Sequence, residues 1–364
     1  MPDLGLTTGT PDLQSAGPLL FHPDGILFAA DVRAAAVFAF DVADSKEPAG
    51  ATSVDVEHLD AKTASLLGVD REDVLVRGMA VHPTSRAVYL SVARGRGADS
   101  APVLVRVSPS GELTLVDLDD APFARTSLED APSLDDERQD IWTDGTTESS
   151  EVFEVAGVTL DIARVPLARS TITDMAWVDG TLLVAGTSNE EFTSRLRRIP
   201  FPFGGAAQAT SVEIYHVDHG QYETASPIRS LISFDGGRSV LATYTCTPVV
   251  HFPLSDLVPG GLVRGRTVAE LGPMNQPLGL VSYDHDGQEL LLVSGTRHPL
   301  LKIPAAAVAA QEPLTEKLEP VGLPREALDQ PGVTWMANLD RANIVVIQRE
   351  GADTHLRTLQ AASL

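Results

Sequence analysis

Whatever chemistry this chain of 364 residues performs falls to one thiol and a scatter of carboxylates, guanidinium groups and imidazoles. The sequence holds no phosphate-binding Gly-x-x-x-x-Gly-Lys loop, no zinc-spaced cysteine and histidine set, no His-Glu-x-x-His and no Gly-x-Ser-x-Gly elbow. Cys246 becomes a nucleophile or a soft-metal ligand once a neighbouring cation lowers its pKa, and His298 or a nearby arginine is the group expected to do so. Buried apolar filling is the competing role for a single cysteine. Asp174 and Glu190 are the carboxylates that could act as general base or metal ligand. Arg94 and Arg229 offer charge to an anionic group, with Asp31, Asn189 and Gln276 as further polar contacts. His216 and His219 bracket Asp218 in a His-x-x-His spacing, which suits a metal but suits two surface histidines better. His22 and His82, each before a residue that opens a turn, read as structural.

These residues share a position in a repeat. The phrase Gly17-Pro-Leu-Leu-Phe-His-Pro-Asp-Gly25 reads as a strand and a tight turn, and residues 26–30 and 37–40 read as two more strands. The pattern returns, degenerately, with openings near Gly78, Thr173, Arg229, Leu278 and Val333. Each unit is an antiparallel meander that wants a fourth strand. Residues 53–58, 113–118, 212–216, 263–271 and about 315–321 are the candidates for the first five units. The sixth runs out of chain, so residues 3–7 are expected to supply its outer strand. The fold class is therefore all-β, a six-bladed β-propeller of four-stranded blades whose ring is closed by the N-terminal strand, with seven blades as the alternative. In such a ring the loops joining second to third strands share a face with the connections between blades. Asp31, Arg94, Asn189, Glu190, Cys246 and His298 fall on those loops, and Asp174, Arg229 and Gln276 begin inner strands that point to the axis.

One domain spans 1–364, interrupted by an insert at about 119–170 on that same face. Between Asp119 and Glu154 the insert carries twelve acidic residues against two arginines, and it reads as a solvated flap or lid. The whole chain has a formal charge of -23, which excludes nucleic acid and anionic membrane surfaces as partners. A small-molecule substrate and a monomer or small homo-oligomer are expected instead. Lysine occurs at positions 46, 62, 302 and 317, so positive charge rests on arginine. The lone cysteine implies no intrachain disulfide, and the start of the chain lacks the pattern of an export signal. The chain reads as cytoplasmic, or as a mature form whose signal has been removed.

The meander, with phrases such as Gly17-Pro-Leu-Leu-Phe-His-Pro-Asp-Gly25, resembles the superfamily of gluconolactonases, senescence-marker lactonases and strictosidine-synthase-like propellers. The stretches around Arg94-Gly-Arg-Gly97, Ser188-Asn-Glu-Glu-Phe192 and Tyr244-Thr-Cys-Thr-Pro248 look like a bacterial subgroup without an assigned activity. The resemblance implies hydrolysis of a lactone or ester, assisted by a divalent cation, calcium or another, held on the axis by carboxylate and asparagine side chains. Where that family has glutamate and asparagine ligands, this chain has Ala16 and Leu278. The expected function is thus a hydrolase of small molecules at the axial opening, and the alternative is a non-catalytic propeller that binds a ligand or protein.

Overall fold

The turn residues of each repeat fold as their chemistry dictates. Gly25, at a φ of 89°, lets the chain reverse after Leu19–Phe21 and return as Ile26–Asp31, which pairs in turn with Ala36–Asp41. A computed structural model describes residues 4–46, 53–138, 141–144, 151–155, 158–272, 275–297, 299–317 and 321–364. It contains six antiparallel blades arranged in a ring, a β-propeller.

Those three strands form the inner part of blade I. Blade II is Val74–Val81, Val88–Arg94, Ala101–Val107 and Leu113–Leu115. Blade III is Asp174–Val178, Thr181–Thr187, Ser194–Pro200 and Gln208–His216. Blade IV is Ile228–Phe234, Ser239–Tyr244, Pro248–Pro253 and Arg266–Glu270. Blade V is Pro277–His285, Gln288–Gly295, Leu301–Pro304 and Glu326–Ala327. Blade VI is Val333–Asn338, Asn343–Glu350 and Asp353–Gln360. In every blade the middle of the second strand is buried, because both its faces meet a neighbouring blade.

The order around the ring differs from the order in the chain. Leu19, Phe38 and Phe40 of blade I pack on Tyr89 and Leu104 of blade II, while Phe28 and Val37, on its other side, pack with Met175 and Val184 of blade III. Val88 and Leu90 of blade II pack on Val345 and Ile347 of blade VI. The remaining seams run III to IV, IV to V and V to VI. The ring thus reads II, I, III, IV, V, VI, and back to II. Each fully buried leucine or phenylalanine in these seams contributes about 1.5–3 kcal/mol. Near the axis blades I and II approach so closely that a Cβ on Gly78 would lie 2.4 Å from the Gly17 carbonyl oxygen. Asp44, just past the third strand of blade I, fastens the two blades: it accepts from Arg106 Nε at 2.7 Å, Tyr89 OH at 2.9 Å and Ser85 Oγ at 2.8 Å.

The outer strands correct three expectations. The fourth strand of blade I is Ala121–Ser127, so all of blade II is inserted between the third and fourth strands of blade I. Residues 53–58 lie instead on blade VI, where Val56 and Leu356 exchange backbone hydrogen bonds of 2.8 and 2.9 Å. That contact closes the ring. The N-terminal strand, Thr7–Gly9, pairs with Ala121–Ser127 of blade I and closes nothing. The fourth strand of blade V is Glu326–Ala327, beyond the expected span, and residues 318–320 lie outside the described residues.

The acidic insert is likewise more than a flap. Its first part is that outer strand of blade I, followed by Leu128, 4% exposed, in the seam with blade III. Next comes Asp130, which binds the fully buried Arg197 at 2.8 Å. Burial lowers the Arg197 pKa, and Asp130 together with the carbonyls of Thr171 and Thr187 compensates for its lost water. Further on, Ile141–Asp144, Glu151–Val155 and Val158–Val165 make a separate three-stranded sheet. Among the described residues, no helix is long and apolar enough to cross a membrane.

Candidate functional site

The outer strand of blade III ends at His216 and turns back through Val217-Asp218-His219-Gly220 into the short strand Gln221–Glu223. Gly220 makes the reversal possible: its φ is 67°, and its N–H reaches back to the His216 carbonyl at 2.8 Å. The hairpin therefore stacks His216, His219 and Glu223. The two imidazole rings have centroids 3.8 Å apart and are tilted by 46°. Glu223 Oε1 lies 2.5 Å from His219 Nδ1 and 3.1 Å from His216 Nδ1; the first is a hydrogen bond, the second a close ion-pair approach.

Blade IV supplies the sulfur. Its second and third strands are joined by Thr245-Cys246-Thr247, and the ligand atoms of Cys246, His216 and His219 all lie within 4.8 Å of one another. Thr247 is fully buried, with its hydroxyl 3.2 Å from His216 Nε2. His216 is buried, whereas the His219 side chain is 48% exposed, so the cluster opens to solvent past His219.

The four groups set each other's protonation. Burial pushes the Cys246 thiol up, but hydrogen bonds and charge from His216 and His219 outweigh it and hold the thiol below its ordinary value. Burial lowers the His216 pKa, yet Cys246 and Glu223 raise it to about 10. His219 is raised to about 9, chiefly by Cys246, with burial opposing and Glu223 adding to the rise. Glu223, against its own desolvation, is drawn down to about 2 by the two rings. Together the shifts favour negative charge on the thiol and carboxyl and positive charge on the two rings. Behind Thr247 lies Glu270, fully buried, with neither carboxyl oxygen hydrogen-bonded among the described residues. Burial keeps that acid above the usual carboxylate range, against the opposing pull of the Thr247 hydroxyl and the charge of His216. Burial also lowers Arg325, whose Nη1 has no hydrogen-bond partner among the described residues, and the charge of Glu270 opposes that shift.

Of the site residues expected from sequence, Cys246 is in this cluster and the other described ones are elsewhere. Asp174 begins the inner strand of blade III as anticipated, but its two oxygens accept the N–H groups of Leu231 at 2.7 Å and Met175 at 2.9 Å. It sews blade III to blade IV, and burial pushes its carboxyl up to about 6 despite those donors, the Ser230 hydroxyl and the charge of Arg229. Asp31 is fully buried and accepts from Ser15 Oγ at 2.7 Å, Ala34 N–H at 3.0 Å and the Gln14 N–H, which makes it a turn and anchor residue. Glu190 is exposed and faces Arg195 at 3.3 Å. The Asn189 and Glu190 carbonyls accept from Arg138. The Gln276 N–H donates to the Thr296 hydroxyl at 3.1 Å, and the Gln276 carbonyl accepts the Thr296 N–H at 3.0 Å. Arg94 is exposed at the end of its strand, and Arg229 lies on the inner strand of blade IV. His298 falls outside the described residues. His22 and His82 are structural as expected, each accepting N–H groups of its own turn at Nδ1. Among the described residues, Ala16 and Leu278 are apolar and both Asp174 oxygens accept backbone N–H groups.

Sequence reasoning missed His216, His219 and Glu223 as partners of Cys246. The signal was present as His-x-x-His followed by glycine and, three residues on, glutamate, on the outer hairpin of the blade before the thiol. No protein-family model matches the chain, and no curated protein matches it. Solved structures with similar shape include a chain of a mitotic checkpoint complex, at 11% identity and a TM-score of 0.40 over 97% of this chain and 90% of that one. Virginiamycin B lyase from Staphylococcus aureus gives 11% identity and 0.38 over 97% of both chains. The PQQ-bound aldose sugar dehydrogenase from Streptomyces coelicolor gives 11% and 0.36 over 99% of both. Likenesses this distant say nothing about the chemistry of the present site.

Proposed function

We propose that the protein is a hydrolase of small esters or lactones, working at the Cys246–His216–His219–Glu223 cluster between blades III and IV. One observation carries the reading: a thiol of lowered pKa meets two imidazoles and a bridging carboxylate where the ring opens to solvent. Hydrolysis needs an electron-rich attacking group, a proton carrier and positive charge for the oxyanion. His219 is the solvent-facing proton carrier, and Glu223 fixes its ring by accepting from Nδ1. His216, buried behind it, supplies positive charge beside the reacting carbonyl. Cys246 is the electron-rich atom of the centre.

The test is turnover of p-nitrophenyl acetate and a panel of small lactones by the purified protein, by Cys246→Ala and by His219→Asn. The reading expects turnover that both substitutions abolish. A wild-type protein with no turnover above the buffer rate would remove it in favour of the ligand-binding alternative.

A further inference from the structure

We propose that His216, His219 and Cys246 bind a divalent transition-metal ion of the zinc class through two nitrogens and one sulfur, with a fourth position left to solvent. The role of the ion rests on the hydrolase reading; its binding does not.

The donor set makes the first argument. Imidazole and thiolate together suit a borderline-soft ion, whereas calcium and magnesium take oxygen ligands. Four-coordinate ligands at zinc's bond lengths stand roughly 3.3–3.8 Å apart. The three donor atoms already lie within 4.8 Å of one another, so small side-chain rotations bring them to that spacing.

The surroundings make the second. Ligating histidines usually donate their other ring N–H to a carboxylate, and Glu223 Oε1 faces Nδ1 of both rings at 2.5 and 3.1 Å. That leaves Nε2 of each ring to face the ion. His216 Nε2 now meets the Thr247 hydroxyl at 3.2 Å, and the buried Glu270 carboxyl behind it, with neither oxygen hydrogen-bonded, can take that hydroxyl when the ion arrives. The ion replaces the protons that the thiol and rings now share, and the strongly acidic chain favours the added charge.

Exposure makes the third. Three protein ligands with the fourth position open is the arrangement of catalytic zinc, where bound water ionises near neutral pH, and His219 puts the solvent side where a substrate arrives. A second trio, His58, Asp353 and His355, has comparable spacing, but Arg71 already bonds to Asp353 and stands where a cation would go.

The protein, stripped with a chelator and dialysed, is titrated with cobalt(II) and separately with zinc. The expected result is one equivalent bound, with a sulfur-to-cobalt charge-transfer band in the near ultraviolet and d–d bands of four-coordinate intensity. Cys246→Ser should lose the charge-transfer band, and His219→Asn, at a half-exposed position, should weaken zinc at least tenfold. Zinc should also protect native Cys246 from iodoacetamide. Absence of stoichiometric binding, or binding undiminished in both variants, overturns the proposal. Ester hydrolysis that survives complete metal removal likewise overturns the ion's catalytic role and leaves the hydrolase reading standing with the thiolate as nucleophile. Stoichiometric cobalt with no hydrolysis of any substrate upholds the site and defeats the hydrolase.

Discussion

Two seams of the ring use nearly the same side chains and reach opposite ends. Between blades III and IV stand His216, His219, Glu223 and Cys246; where blade VI meets residues 53–60 stand His58, His355, Glu57, Asp60 and Asp353. In the second seam Arg71 hydrogen-bonds to both Asp60 and Asp353 and to the Ala352 carbonyl, and His355 Nδ1 accepts the His58 N–H at 3.2 Å. A guanidinium from the chain itself balances the acids, and the imidazole edge is used to hold two distant segments together. In the first seam no arginine enters the cluster among the described residues; the acids are balanced by the imidazoles, a thiol sits between them, and Glu270 is buried behind without a hydrogen-bond partner. The contrast shows that residue type does not make a site. What matters is whether the fold has already supplied the opposite charge.

The comparison is broken or sharpened by four measurements. The largest effect is on activity: Cys246→Ala should lower kcat/KM on a small ester by about 10²–10⁴-fold, while Asp353→Asn in the other seam should leave it within about twofold. Equal losses from both would mean that the closure seam shares the chemistry. Next comes stability. Leu356, fully buried against the closing segment, should cost about 2–5 kcal/mol when replaced by alanine, read as a fall in melting temperature. Cys246→Ala should cost about 1 kcal/mol or less, and a larger cost would make the thiol a packing residue.

The third is a pH effect at the fastening of blades I and II. Burial raises the Asp44 carboxyl, but hydrogen bonds from Arg106, Ser85 and Tyr89 outweigh it and hold the pKa below 3.8. A carboxyl depressed in the folded state stabilises above its unfolded pKa and loses that contribution as pH falls through the folded value. Asp44→Asn should therefore be less stable by about 1–3 kcal/mol at pH 7, and the gap should narrow as pH falls below 3.8. A gap that persists in acid would assign the loss to packing. The smallest effect belongs to the N-terminus: removing residues 1–10 takes away a three-residue edge strand, largely exposed, and should change stability by about 1 kcal/mol or less. A collapse of the fold would restore the N-terminus to a closing role.

The inner three strands of every blade were legible because their turns are local: Pro23-Asp24-Gly25 or Asp179-Gly180 names its own hairpin within a few residues. Outer strands were legible in blades II, III and IV, where Leu113–Leu115, Gln208–His216 and Arg266–Glu270 overlap the expected spans, but not in blades I, V and VI. Leu113–Leu115 and residues 53–58 look alike as short half-exposed stretches, and nothing in their pattern says which edge they cover. Val56 pairs with a residue 300 positions away, where local propensity is silent. The site followed the same rule. Cys246 could be chosen by type, but its partners come from the hairpin of the preceding blade. Asp174 does begin an inner strand, yet its burial against two backbone N–H groups depends on how closely the next blade approaches.

The nesting of blade II inside blade I sets a timetable for the growing chain. Blade I leaves the ribosome with three strands and an unpaired edge, and must wait for some eighty more residues before Ala121–Ser127 covers it. Residues 53–58 wait longer still, until the final hairpin carrying Leu356 has been made. Contacts of such separation slow folding and leave bare edges open to wrong partners. Blades III and IV, consecutive in the chain, meet no such delay, so the Cys246 cluster can assemble while the ring is still an open arc.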